Sequence, residues 1–487
     1  MTNIEKSEER IRMESYVDDL VDKSRKAQKI ASDFSQERVD ELVGAIAYHM
    51  TREDVRKELA EFAYEDTRLG DYESKVGKIE TKIKGIYRDI KDKKSVGLIE
   101  ELPERGLLRY GKPVGVVAAI TPSTQPEMLP INQVLFSVKA RDSIIFAPHP
   151  RGFKTVVKVV EMMRTILKAY DAPEDLILCV NTPNEEMCGI VMSKCDLVVA
   201  TGGAGMVKAA YSSGTPAYGV GAGNANLIVD ESADIKDAAR KTMESKTTDL
   251  AAGCSCDNSL MILESVYDDM IDALKQEGGY MCTPDEKERI QSALFPNWPE
   301  DHVINRQIVA SPARKIADAA GIEIPENTKF IMVEEEGSGP MHPLSGEKMT
   351  VILTVYKSKD IDDAIDRINA NHAYSGAGHS CGIHSFNEEN INKVAMKTKT
   401  TRVNVNLANG LSNTGNWNVG YPFSGSLGCG TWGGNIASEN ITLKHYMNNT
   451  WVARPIEPVI PKDEELFDTV DRDNFVFNPG RSKNNTR

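Results

Sequence analysis

Apolar positions recur at helical spacing through residues 16–50: Val17, Leu20 and Val21, then Ala27, Ile30, Ala31 and Phe34, then Val39, Leu42, Val43 and Ile46. Steps of three and four residues place such a set on one side, so this stretch reads as helices with one buried face. A charged helical stretch follows from Val55 to Asp92, with Val76, Ile79, Ile83 and Ile86 on one side. The texture then changes. Ser95-Val-Gly-Leu-Ile-Glu100 and Gly106-Leu-Leu-Arg-Tyr110 alternate like exposed strands, which predicts a hairpin or arm.

From Pro113 the pattern becomes strand, turn, helix, repeated. Val114–Thr121, Ser143–Ala147, Leu176–Cys179 and Leu197–Ala200 are continuous apolar runs, and the helix between Thr155 and Tyr170 sets Val156, Val159, Val160, Met163 and Leu167 on one face. Fully apolar strands alternating with helices predict a parallel, doubly wound sheet. Ligands bind such sheets at the C-terminal ends of the strands. The loops there are Thr121-Pro-Ser-Thr-Gln-Pro126, Pro148-His-Pro-Arg-Gly152 and Thr201-Gly-Gly-Ala-Gly-Met206. The last opens a helix, where glycines let backbone approach a phosphate, although a plain tight turn explains them as well. Gly219-Val-Gly-Ala-Gly-Asn224 is a second glycine-rich turn, leading to a strand over Asn226–Asp230.

An amphipathic helix over Ala233–Met243 and a buried strand over Leu260–Leu263 bracket Cys254. Ala251, Ala252, Gly253 and Ser255 are small enough to let a carbonyl reach the sulfur, so Cys254 is either a nucleophile or a buried structural thiol. A nucleophile needs local charges or dipoles that lower the thiol pKa. A shorter α/β rhythm follows, with strands at Phe330–Val333, Val351–Tyr356 and Thr401–Asn406 and a helix over Ile361–Ala370. The glycine- and asparagine-rich stretch 409–440 reads as a loop wrapping a pocket. From Pro461 the chain is polar and reads as an extended or frayed tail.

At 487 residues the chain exceeds the size of one hydrophobic core, so two or more domains are expected. Forty per cent apolar and 27% charged residues suit a globular protein, and a net charge of −14 argues against nucleic-acid or anionic-membrane partners. No apolar run approaches a membrane span, and the charged N-terminus carries no secretory signal, so a cytoplasmic location is expected. Eight scattered cysteines make neither a disulfide framework nor, with no histidine pair beside Cys254 and Cys256, a metal site.

Taken together, Ile120-Thr-Pro-Ser-Thr124, Ala147–Gly152, Thr201-Gly-Gly-Ala-Gly-Met-Val-Lys-Ala-Ala210, Gly219–Asn224, Ser245-Lys-Thr247, Gly378-His-Ser380 and Leu427-Gly-Cys-Gly-Thr-Trp-Gly-Gly-Asn435 resemble the aldehyde dehydrogenase superfamily. The resemblance covers about residues 15 to 455 and is closer to the CoA-acylating branch. It implies an α/β fold: N-terminal helices (1–94) on the cofactor domain, a β oligomerisation arm (95–112, with part of the C-terminal region), and a Rossmann-type NAD(P)-binding domain (113–245). A catalytic domain (246–435) and a C-terminal segment with a polar tail (436–487) complete it. The nucleophile position falls on Cys254. Thr124 stands where hydrolytic relatives carry an oxyanion asparagine, or else is a structural loop hydroxyl, and His379 stands at a Gly-His position suited to take the proton from CoA, or else is a core or ribose-side histidine. Glu347 matches the acid that holds the nicotinamide ribose, and Thr121, Pro122, His149, Thr201, Gly202, Gly203, Met206 and Gly221 fall in the implied cofactor site.

Hydrolytic relatives activate water with a glutamate in a Glu-Leu-Gly-Gly motif, and the matching turn here, Gly219–Gly223, has no carboxylate. A thiol ionises more readily than water, so the acyl group is expected to pass to CoA. The pattern departs at Thr124-Gln125-Pro126, where acylating members read Thr-Asn-Pro, and at Glu347-Lys-Met-Thr-Val351. The residues that bind adenine ribose in hydrolytic relatives are replaced around Ala147–Pro150, which leaves NAD and NADP both open. Several segments, Asn413-Thr-Gly-Asn-Trp417 among them, are most similar to acylating sulfoacetaldehyde dehydrogenases, with acetaldehyde and succinate-semialdehyde members close. Arg402, Asn404, Asn406, Asn409, Asn413, Asn416 and Asn418 are candidates to line an anionic substrate pocket, although turn and loop chemistry explains many of these Asn equally well. The expected partners are a small aldehyde and CoA, in a homodimer or homotetramer. The rival outside enzymes is an inactive cofactor-binding or assembly protein.

Overall fold

The computed structural model describes residues 3–470. Helices α1 (Asn3–Ala31), α2 (Gln36–Met50), α3 (Glu53–Thr67) and α4 (Tyr72–Ile90) open the chain. Each of the last three buries one stripe, as the three-and-four spacing requires: Val39, Leu42, Val43 and Ile46 on α2, and Ile79, Ile83 and Ile86 on α4. Asp71 caps α4 by accepting from the Ser74 N–H at 2.8 Å. Strands β1 (Gly97–Leu102) and β2 (Leu107–Pro113) form the hairpin, and its outer edge is taken by a strand from the far end of the chain.

Five parallel strands follow: β3 (Val116–Thr121), β4 (Ser143–Pro148), β5 (Ile177–Cys179), β6 (Leu197–Thr201) and β7 (Ala217–Val220), in the order β5-β4-β3-β6-β7. Helices α5 (Leu129–Ala140), α6 (Phe153–Ala169), α7 (Glu185–Lys194) and α8 (Ala204–Tyr211) connect them. Alternate side chains divide each apolar run between two cores. Val117, Ala119, Ile144 and Phe146 join the core of α2, α4, α5 and α6, whereas Val116, Ala118, Ile120 and Ile145 pack with α1 and α7. Each fully buried Val or Ile contributes about 1.5–3 kcal/mol by leaving water. The order of strands reverses between β3 and β6, which is where such sheets bind ligands.

A second parallel sheet has seven strands, ordered β10-β11-β12-β9-β8-β13-β14. They are β8 (Ala225–Val229), β9 (Asp257–Leu263), β10 (Gly279–Met281), β11 (Phe330–Glu334), β12 (Ile352–Ser358), β13 (Cys381–His384) and β14 (Val403–Val405). Helices α9 (Ile235–Thr247), α10 (Tyr267–Gln276), α11 (Pro284–Leu294), α12 (Ala313–Ala320), α13 (Ile361–Tyr374) and α14 (Glu388–Lys397) surround it, and α15 (Asn409–Ser412) is a single turn. Strand β15 (Met447–Ala453) returns to β2 as the third strand of the arm, and α16 (Asp463–Leu466) gives the start of the tail one helical turn. The tail beyond residue 470 lies outside the described residues.

Two readings of the sequence change. The glycine-rich turn at 219–224 begins inside a strand, β7, because Gly219 and Val220 pair with Ala200 and Thr201 of β6. The crossing between sheets falls between β7 and β8, so α9 and the strand before it already belong to the sheet that carries Cys254. No helix among the described residues is long and apolar enough to cross a membrane.

Candidate functional site

Cys254 follows α9 in a tight approach to β9. After Thr247 the backbone passes through Asp249, Leu250 and Ala251 at φ of 48°, 50° and 60°. Three successive non-glycine residues in the left-handed region are strained, by about 1–3 kcal/mol each, and persist only when their surroundings hold them. Helix α4 does the holding. The Asp249 carboxylate accepts from Lys78 Nζ at 2.9 Å, Lys75 Nζ at 3.3 Å and the Asp71 N–H at 3.0 Å, while the Asp249 N–H donates to Ser74 Oγ at 3.1 Å. Burial raises the Asp249 pKa, and Lys78 and Lys75 outweigh it to keep the carboxyl below its ordinary value.

His379 Nε2 stands 3.2 Å from Cys254 Sγ. Its Nδ1 is 2.8 Å from Ser380 Oγ, which accepts from Asn413 Nδ2 at 3.0 Å, and its carbonyl accepts from Arg402 Nη1 at 3.1 Å. The ring is thus anchored from both sides with one nitrogen facing the sulfur. Gly378 precedes it at φ 79°, where a Cβ would lie 1.9 Å from the Cys429 carbonyl oxygen, so only glycine lets the chain turn here. Burial, with Arg402 and His372 adding to it, lowers the His379 pKa to about 3. Burial, reinforced by Glu347, raises the Cys254 thiol above its ordinary value. The pair therefore rests as neutral thiol and neutral imidazole, contrary to the expectation of local charges that ionise the sulfur.

Gly223 packs directly on Cys254. A Cβ there would lie 2.1 Å from the Cys254 carbonyl oxygen and 2.8 Å from Cys254 Cβ. Its N–H donates to Glu347 Oε1 at 3.2 Å. Burial raises Glu347 to about 8, against the opposing pull of that N–H, Lys348 and Lys246. One glycine thus touches both the sulfur-bearing residue and the acid.

A cavity of about 340 Å³ opens on Cys254, lined among others by Thr124, Gln125, Ser255, Lys78 and Lys82. A second, of about 540 Å³, is lined by Gly221, Ala222, Val207, Tyr211, Cys429 and Trp432. Thr121 ends β3 and Thr201 ends β6, so they flank the switch point of the five-stranded sheet, with Pro122 next to the first and Gly202 and Gly203 after the second. Thr121 Oγ1 is buried without a hydrogen-bond partner, and a Cβ on Gly203 would meet nothing within 4 Å. An orphaned hydroxyl and open backbone at this position fit a dinucleotide phosphate or ribose. Met206 packs against the apolar core on the α1 side. His149 is exposed at the end of β4, and its Nδ1 accepts from the Arg151 N–H at 3.0 Å.

The amide-rich pocket expected around Arg402 is not a pocket. Arg402 donates to the carbonyls of His379 and Gly428 and to Asn440, Asn404 binds Asn409 and Asn413, and Asn406 binds the Ser385 carbonyl. Buried amides at hydrogen-bond distance from one another are structural, and only Asn416 of that set lines the Cys254 cavity. The cations in the cavity instead are Lys78 and Lys82 of α4, which with the buried Lys75 repeat at three and four residues beside the apolar stripe. That spacing was the available signal, hidden because a charge run on a helix reads as a solvated face. Among the described residues no three or more His, Cys, Asp or Glu side chains gather as a metal site.

The sequence profile of the aldehyde dehydrogenase family matches residues 10–288. The chain is 41% identical over 450 residues to a sulfoacetaldehyde dehydrogenase of an Acholeplasma species, covering 92% of each chain. It is 40% identical to the acylating sulfoacetaldehyde dehydrogenase of Bilophila wadsworthia, covering 93% of this chain and 97% of that one. Among solved structures, an acetylating aldehyde dehydrogenase from Geobacillus thermoglucosidasius superimposes with a TM-score of 0.88 at 34% identity, covering 93% of this chain and 99% of its own.

Proposed function

The chain belongs to the aldehyde dehydrogenase family, in its CoA-acylating branch, and from that premise we propose that it oxidises sulfoacetaldehyde with CoA and NAD(P)+ to the acyl-CoA. The observation that carries the reaction is the Cys254–His379 pair beside a cavity, 3.2 Å apart, with no carboxylate at 219–223 to activate water.

Cys254 Sγ adds to the aldehyde carbon, and His379 Nε2 takes the thiol proton as the bond forms. The rest state is neutral, so the thiolate develops only against the substrate carbonyl. Thr124 and the Cys254 N–H donate to the growing alkoxide. A bound nicotinamide supplies the hydride acceptor, and loss of hydride from the thiohemiacetal leaves a thioester on Cys254. Glu347, fixed by Gly223, holds the ribose next to the sulfur, while Thr121, Pro122, Thr201, Gly202, Gly203, Met206, Gly221 and His149 frame the rest of the dinucleotide site. His379 sheds that first proton to solvent, and the neutral ring then takes the proton of CoA as its sulfur attacks the acyl carbon and passes it to Cys254 Sγ as that sulfur leaves.

The identity with two sulfoacetaldehyde enzymes supports the substrate, with acetaldehyde and succinate semialdehyde as the alternatives. The half-buried thiol and buried imidazole poised on a cavity favour catalysis over an inactive binding role. Eight unpaired thiols suit the cytoplasm, and the β1–β2–β15 arm suits assembly as a homodimer or homotetramer. The test is reduced-nicotinamide formation from each of the three aldehydes, with NAD+ or NADP+, with and without CoA. Strict dependence on CoA and the highest kcat/KM for sulfoacetaldehyde are expected. Equal rates without CoA refute the acylating reading, and a higher kcat/KM for acetaldehyde refutes the substrate.

A further inference from the structure

Lys82 stands in the wall of the Cys254 cavity with 8% of its surface exposed. Its ammonium donates to the Gly415 carbonyl at 2.6 Å and the Leu411 carbonyl at 3.3 Å, and lies 5.7 Å from the centre of the Phe423 ring. An ammonium has three donors, so one remains. Lys75 and Lys78, two turns and one turn before it on α4, are matched by the carboxylates of Asp249 and Glu127. No described carboxylate lies within ion-pair distance of Lys82, which leaves its ammonium, when charged, without a counter-ion in the cavity. Burying such a charge is costly unless a counter-ion arrives. Burial and the neighbouring Lys78 lower the Lys82 pKa to about 7, and an anion beside it would restore the charged form. Ser255 and Gln125 line the same cavity, and Ser255 Oγ and Gln125 Oε1 are buried without a hydrogen-bond partner.

We propose that Lys82 is the specificity-determining residue that binds the anionic head group, a sulfonate or carboxylate, of a short aldehyde whose carbonyl carbon sits at Cys254. The cavity, at about 340 Å³, has room for about ten waters at roughly 30 Å³ each, which admits a two- to four-carbon aldehyde with its head group. The inference rests on the acylating reading for its catalytic readout, and on the cavity alone for its binding readout.

The test compares wild type, Lys82→Gln and Lys82→Arg with sulfoacetaldehyde, succinate semialdehyde and uncharged propionaldehyde, each with CoA and NAD(P)+. The quantity read is the ratio of kcat/KM for the anionic to the uncharged aldehyde. Lys82→Gln is expected to lower that ratio at least tenfold, and Lys82→Arg to restore it to within threefold. The anionic aldehyde with the larger drop identifies the head group. A ratio within twofold of wild type in Lys82→Gln overturns the proposal, because a purely structural lysine would weaken all three substrates alike. Calorimetric binding of ethanesulfonate to wild type and Lys82→Gln runs in parallel, with at least tenfold weaker binding expected in the variant and equal binding overturning the assignment. Should wild type turn over none of the aldehydes, the acylating reading fails while the ethanesulfonate titration still decides Lys82. Lys82→Met, which keeps the apolar stem against Phe423, serves in both measurements if Lys82→Gln does not fold.

Discussion

Gly223→Ala is the smallest change that reaches both halves of the site. The added Cβ would stand 2.1 Å from the Cys254 carbonyl oxygen, where real Cβ atoms essentially never come under 3.0 Å, and the atom it meets is backbone, which cannot rotate away. The segments must separate by at least about 0.9 Å, and a displacement of about 1 Å at reacting groups costs about a hundredfold in rate. The same separation pulls Gly223 N–H off Glu347 Oε1, at present 3.2 Å, so Glu347 moves with the sulfur. Expected is a kcat at least thirtyfold below wild type in the CoA-dependent assay, with slower iodoacetamide alkylation of Cys254. Thermal unfolding serves as the control that the fold survives. A variant with kcat within threefold of wild type would refute the packing of Gly223 on Cys254.

Two further outcomes are expected. Glu347 is raised to about 8, so below that pH it is a neutral acid that glutamine imitates, and above it a carboxylate that glutamine cannot. The wild-type to Glu347→Gln ratio of kcat/KM for NAD(P)+ should therefore stay within about threefold at pH 6.5 and widen as pH rises through 8, since charge-assisted bonds are about twice as strong as neutral ones; a ratio flat with pH contradicts the ribose role. Asp249→Asn removes a 5%-exposed carboxylate from Lys75 and Lys78. Breaking one side of a buried pair costs about 3–5 kcal/mol, to be read by urea unfolding, and a loss below about 1 kcal/mol would show that α4 does not hold the strained turn.

Much of this was legible in the residues. Continuous apolar runs marked β3, β4, β5 and β6 because strands buried on both faces have no polar alternation to lose. The same physics concealed α5: all twelve of its residues are buried, so no polar face produces a helical period. Strand β7 was hidden by Gly219, whose missing side chain makes room for Val207 and Tyr211, since a Cβ there would lie 2.8 Å from both. Cys254, His379 and Glu347 stood out by motif, and the geometry sets His379 on the sulfur and Gly223 between the sulfur and the acid. Lys82 stayed hidden because its meaning depends on pairing far along the chain, with Leu411 and Gly415, and on carboxylates that neutralise its neighbours but not itself.

The central claim, that the acyl group passes from Cys254 to CoA and not to water, is tested most directly by withholding CoA. Enzyme mixed with aldehyde and NAD(P)+ alone should give a burst of one reduced nicotinamide per subunit and then stop, with the acyl mass found by mass spectrometry on the peptide that contains Cys254. Adding CoA should discharge that adduct as acyl-CoA in equal amount, and Cys254→Ala should show neither burst nor adduct. Continued turnover to free carboxylate without CoA, or an acyl mass on any other residue, would contradict it.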